Sequence, residues 1–260
     1  MVQAHNEWLF VGVDEYDAPA NACLFGNNEE QRNRFDEIAD ILKTQFFAIM
    51  KRATGVVVRK YWLTGVLPAF RDGISPLSAT SVISNLPQYH GLCGFTKEEV
   101  DAIAVKYLAS THSLDEIRGA LLLMKRWYNG YMFCPPNHAR SLRPSPLFNP
   151  QLVFTHLRAI SLKGAWLNPR EEVNGTHSAI VLAAISGRDI TSSDLIPVLA
   201  NRLDVTILDG FGALELRGLG QDYNLTWSLL YYLGVVTHNI DNSLLRLPNA
   251  TMRFLVSTVS

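Results

Sequence analysis

The stretch Trp8-Leu9-Phe10-Val11-Gly12-Val13, closed by Asp14-Glu15, constrains this chain most. Six mostly apolar residues with aromatic and β-branched members predict a short strand buried on both faces, as in a parallel sheet. Two carboxylates then stand at the strand's carboxyl end, the edge where open α/β sheets bind ligands. An Asp there suits Mg²⁺, because hard cations take oxygen ligands. A neighbouring Glu, pointing to the other side of the backbone, suits orienting or deprotonating a water. The same pattern also ends strands in solvated turns, so the rest of the chain has to decide.

Downstream, Pro19 and Gly26 punctuate a loop over 18–26, and Asn28 is placed to cap a helix opening with Glu29 and Glu30. Phe35, Ile38, Ala39, Leu42, Phe46 and Ile49 recur at three- and four-residue spacing, one apolar face of a helix that Gly55 ends. Val56–Leu63 reads as a second strand, closed by Thr64-Gly65. Strand, long helix, strand is a βαβ unit, so the strands are predicted parallel with a right-handed crossover. Parallel strands end on one edge, which brings Thr64 near Asp14 and Glu15. Its hydroxyl suits a phosphate or an attacking water, and also suits a purely structural strand end. Arg71, in the following loop, suits phosphate neutralisation or a solvated surface position.

Further on, Val82-Ile83 reads as a short strand, and Thr96 with Glu99 forms the capping box of a helix. Ser113 caps another, striped by Leu114, Ile117, Leu121, Met124 and Trp127. Prolines at 135, 136, 144, 146 and 150 mark an irregular loop before a helix from about 150 to 161. Helices follow at 177–187, 192–202, 222–233 and 249–256, with a strand pair at 234–238 and 244–247. A boundary between 163 and 176 divides the chain into 1–165 and 166–260. Asp209, Glu215 and Arg217 loosely echo a metal-dependent nuclease, but with Arg where such sites use Lys they read as surface-loop residues. With a net charge of −1 and basic residues only in scattered pairs such as Arg59-Lys60 and Lys125-Arg126, nothing suggests a polyanion-binding surface, and no apolar run approaches the ~18 residues of a membrane span. Three scattered cysteines fit reduced intracellular thiols rather than a disulfide framework.

Several motifs, in order, resemble the AAA-ATPase-like family of P-loop proteins, often found upstream of a PD-(D/E)XK-type nuclease domain. They are Val13-Asp14-Glu15-Tyr16-Asp17-Ala18-Pro19, Leu63-Thr64-Gly65-Val66 and Gly94-Phe95-Thr96-Lys97-Glu98-Glu99-Val100. Trp127-Tyr128-Asn129-Gly130-Tyr131-Met132-Phe133, Phe148-Asn149-Pro150, and Tyr232-Leu233-Gly234 with Leu245-Arg246-Leu247-Pro248-Asn249 continue the series. The resemblance implies an α/β fold: a truncated P-loop NTPase-like parallel sheet with flanking helices, followed by a mainly helical C-terminal region. It implies a Walker B pair, with Asp14 for Mg²⁺ and Glu15 for the water; Thr64 and Arg71 stand as further catalytic candidates from their positions in the chain. The family's cofactors are Mg²⁺ and ATP.

The departures shape the functional expectation. No Lys follows a Gly anywhere in the chain, so Gly-x-x-x-x-Gly-Lys-Ser/Thr is absent, and with it the backbone N–H cradle for phosphates. Gly12 stands inside the first strand where the family carries an aliphatic residue. The chain is therefore expected to be an NTPase-lineage protein, inactive alone, that does not bind ATP by itself. The alternative is a non-catalytic protein-interaction remnant of an ATPase–nuclease protein. A protein partner or self-association is expected through an unpaired strand edge, with no membrane and no direct nucleic-acid partner.

Overall fold

The computed structural model describes residues 7–24, 30, 34–69, 80–134, 144–163, 169, 190, 192–212, 215–216, 222–239 and 244–258. In chain order the labelled elements begin with β1 (Leu9–Val13), α1 (Ala18–Leu24), α2 (Phe35–Ile41), a π-helix (Leu42–Phe47), α3 (Ala48–Ala53) and β2 (Val58–Leu63). Next come α4 (Lys97–Leu108), α5 (Leu114–Tyr128), β3 (Asn129–Tyr131), β4 (Leu147–Phe148), α6 (Pro150–Lys163) and α7 (Ser192–Leu199). The chain closes with α8 (Tyr223–Tyr232), β5 (Thr237–His238), β6 (Leu245–Arg246) and α9 (Ala250–Ser257). The fold mixes helices with small sheets, which is α/β at the coarse level. Two units partition it, 1–82 with 207–233 and 83–206 with 234–260; the sequence boundary near 165 falls inside the second.

In the first unit β1 and β2 pair in parallel, as the βαβ reading requires, with Val11 opposite Tyr61, Gly12 opposite Trp62 and Val13 opposite Leu63. The sheet has two strands among the described residues. Burial on both faces does not hold: Phe10 is 67% and Trp62 42% exposed. Strand alternation puts Phe10, Gly12, Lys60 and Trp62 on one face, which stays open, while Val11, Val13, Tyr61 and Leu63 on the other are half-buried. Apolar composition marks a strand's affinity for cover without saying how many faces receive it.

Two further expectations change here. Residues 18–24 form α1 rather than loop, because Pro19 sits in the first turn, where its missing N–H costs nothing, and Ala20 and Cys23 turn inward. The long helix carries a π turn over Leu42–Phe47, which adds one residue and rotates everything after it. Phe47 is thereby buried in place of Phe46, and Ile49 faces out, so the regular stripe ends at Leu42.

The second unit is built on α4, α5 and α6, whose Val100, Ala104, Leu108, Ile117, Met124, Tyr128, Val153 and Leu157 form its core. Both capping boxes are present: Thr96 accepts from the Glu99 N–H and Ser113 from the Glu116 N–H, with each Glu accepting in return. Leu114, predicted on the apolar stripe, is exposed, and residues 82–83 form no strand. β5 and β6 pair antiparallel as predicted. The predicted helix at 177–187, Asn28 and Glu29 lie outside the described residues.

Candidate functional site

The site begins where β1 and β2 end together. Pairing continues one step past the strands, since Thr64 N–H donates to the Val13 carbonyl at 2.9 Å and Tyr16 N–H to the Thr64 carbonyl at 3.0 Å. Asp14 and Thr64 thus stand side by side, and the Thr64 hydroxyl donates to Asp14 Oδ1. The same oxygen accepts the Glu15 N–H at 3.0 Å. Strand geometry stops at Glu15, whose φ of +50° is left-handed, a conformation that costs a non-glycine residue about 1–2 kcal/mol. Asp14, Glu15 and Thr64 are all exposed. The three predicted residues are brought together; Arg71 lies outside the described residues.

Behind them are two side chains that sequence reasoning did not single out. Asp17 is 1% exposed, and its carboxylate accepts the Val66 N–H at 3.1 and 3.2 Å, the Leu67 N–H at 2.7 Å and the Asn21 amide at 2.7 Å. The Tyr16 hydroxyl donates to the Leu67 carbonyl at 2.6 Å and accepts the Ala69 N–H at 2.9 Å. Its ring packs edge-on against Phe47, the residue that the π turn brings inward. Gly65 has to be bare, because a Cβ there would fall inside the Asp17 carboxylate. Beyond the clamp, Phe211 N–H donates to the Pro68 carbonyl at 2.9 Å, anchoring the far end of the loop. The sequence carries no local signal for this use of Asp17, because the Val66 and Leu67 N–H groups that its carboxylate accepts lie about fifty positions away.

The exposed oxygens of Asp14, Glu15 and Thr64 are hard donors that fit Mg²⁺. Among the described residues no group of three or more His, Cys, Asp or Glu side chains is arranged around a common metal position. The chain would therefore hold such an ion through one or two carboxylates, as Mg²⁺ sites commonly do when water and phosphate complete the shell. Glu215 accepts the Gly212 N–H, a turn-closing role, while Arg217 lies outside the described residues. Among the described residues no helix is long and apolar enough to cross a membrane.

The motifs of the second unit are joints. Phe95 and Phe148 exchange backbone hydrogen bonds, and a Cβ on Gly94 would stand 2.8 Å from Leu147 Cβ. Gly130 (φ +119°) lies so close to Pro248 that a Cβ would overlap its carbonyl. The Arg246 guanidinium donates to the carbonyls of Gly130, Leu247 and Pro248.

No family model, curated protein or solved structure matches this chain.

Proposed function

We propose that this chain is an AAA-ATPase-like module of P-loop NTPase lineage that carries the metal-and-water side of a nucleotide site. Asp14 is the Mg²⁺ carboxylate, Glu15 the group that orients water, and Thr64 the hydroxyl that fixes Asp14. Arg71 is the proposed neutralising arginine. The observation that carries the reading is the parallel β1–β2 pair ending in a hydroxyl–carboxylate contact between Thr64 and Asp14. Mg²⁺, when bound, supplies charge neutralisation beside a phosphate. The triphosphate itself fits poorly, since the sequence offers no Gly-Lys-Ser/Thr loop to cradle it. By itself the module is therefore a weak nucleotide binder without turnover. An intracellular setting belongs to the same proposal, supported by three cysteines that form no disulfide.

Two titrations test this. Mn²⁺ should bind at about millimolar concentration, with paramagnetic broadening centred on Asp14 and Thr64, and Asp14→Asn should abolish it. A fluorescent ATP analogue with Mg²⁺ should not saturate in the micromolar range, because several charge-assisted hydrogen bonds of roughly 1.5–3 kcal/mol each are missing. Saturable micromolar binding would overturn the reading of the phosphate side; Mn²⁺ binding indifferent to Asp14→Asn would overturn the metal side.

One observation favours a second reading, a protein-interaction module. The open face of the parallel pair, with Phe10 and Trp62, is of the kind that parallel sheets ordinarily keep covered.

A further inference from the structure

Asp14 presents its two carboxylate oxygens unequally. Oδ1 accepts two hydrogen bonds, from the Thr64 hydroxyl and from the Glu15 N–H at 3.0 Å. Oδ2, on the same exposed side chain, accepts none among the described residues. The backbone delivers both donors. Thr64 is pinned on two sides, its N–H donating to the Val13 carbonyl at 2.9 Å and its carbonyl accepting the Tyr16 N–H at 3.0 Å. Its β-branched side chain is stiff at χ1, and its hydroxyl sits over the end of β1, 3.5 Å from the Val13 carbonyl. The Glu15 N–H follows Asp14 directly in the chain and reaches Oδ1 without any distant contact. A carboxylate oxygen has two lone pairs, so these two donors occupy Oδ1 fully.

This asymmetry bears on which cation the edge accepts. Ca²⁺ is large, takes many oxygens and often grips one carboxylate by both of its oxygens. Mg²⁺ is smaller and demands near-octahedral geometry, in which the two oxygens of one carboxylate stand too close together to fill neighbouring positions. It takes one oxygen from each carboxylate and keeps several waters. With Oδ1 occupied, Asp14 offers the one-oxygen contact and withholds the two-oxygen one.

We propose that Thr64 sets the metal specificity of this edge: with the Glu15 N–H its hydroxyl closes Asp14 Oδ1, confines a cation to Oδ2 and so favours Mg²⁺ over Ca²⁺. Thr64 plays this part only if Asp14 is the metal carboxylate, as proposed for the nucleotide site. The role is additional to holding Asp14 in place, since a hydroxyl that merely positioned the side chain would leave the choice of cation unchanged.

Titrations of the full chain with Mg²⁺ and with Ca²⁺, followed by the amide shifts of Asp14 and Thr64, test this beside infrared difference spectra of the carboxylate stretches. The wild-type protein should bind Ca²⁺ no more tightly than Mg²⁺ at this edge. The antisymmetric and symmetric stretches of Asp14, assigned against Asp14→Asn, should be widely separated, as for a one-oxygen contact. Thr64→Val keeps the side-chain shape and the backbone pairing but frees a lone pair on Oδ1. Its calcium affinity relative to magnesium should rise about threefold, the worth of one exposed hydrogen bond, and the two stretches should draw together in Ca²⁺. Thr64→Ser restores the hydroxyl and should behave as the wild type. An affinity ratio unchanged in Thr64→Val, a Thr64→Ser protein that follows Thr64→Val, or a two-oxygen signature in the wild type would each overturn the role of Thr64 while leaving Asp14 as the metal carboxylate. Binding indifferent to Asp14→Asn, or no binding at this edge, would overturn both.

Discussion

Replacing Asp17 with Ala should destabilise the first unit by about 3 kcal/mol. The Leu67 N–H, on a residue 1% exposed, loses a 2.7 Å charge-assisted bond with no water to replace it, at roughly 1.5–3 kcal/mol. The Val66 N–H and the Asn21 amide sit in partly open surroundings, where solvent replaces much of what is lost, and add about 0.5 kcal/mol each. Gly65→Ala supplies the complementary perturbation. Its Cβ would overlap the Asp17 carboxylate and stand 2.8 Å from Tyr16 Cε1, an overpacking cost of about 1–3 kcal/mol. Without the Asp17 carboxylate most of that clash disappears, so the double variant should cost at least ~1 kcal/mol less than the sum of the two single ones. Urea unfolding of the four proteins gives the cycle, and hydrogen exchange at the Leu67 amide should accelerate in both Asp17→Ala proteins. Additive costs, or an Asp17→Ala loss below ~1 kcal/mol, would refute the clamp.

Glu15→Gly should raise the melting temperature by about 2–3 °C, since glycine holds the φ of +50° without the left-handed penalty; an unchanged or lower midpoint in calorimetry would refute that strain. His238 has its pKa lowered by burial to about 4, below its ordinary value, so the stability it contributes is present at neutral pH and is lost as pH falls from about 6.5 to about 4. The loss should approach ~3 kcal/mol in urea titrations, and His238→Gln should flatten the curve over that window. The open face carrying Phe10 and Trp62 should drive concentration-dependent association in light scattering at tens of micromolar, reduced by Phe10→Lys; a monodisperse monomer at those concentrations would count against it.

What the sequence makes legible in this chain is what closes over short distances. Each capping box joins residues three apart, and the β1–β2 pair is announced by a helix-forming stretch between two β-rich runs. The π turn is not legible, because Phe46 and Phe47 are both Phe and a periodic stripe fits either until one extra residue is known to be inserted. Asp17 escapes for another reason: the two backbone N–H groups that its carboxylate accepts lie about fifty positions away, beyond the reach of any local pattern. The resembling motifs divide along the same line. Glycines 94 and 130, Phe148 and Arg246 act as backbone joints of the second unit, so their pattern bears on how the chain packs. Only Val13 to Asp17 and Thr64 to Val66 converge on the carboxylate edge, where two carboxylates and a hydroxyl face solvent and a buried third carboxylate holds their loop in place. The chemical reading therefore rests on that one edge. Removing the buried carboxylate should disturb the placement of Thr64 beside Asp14 while leaving the second unit's joints untouched.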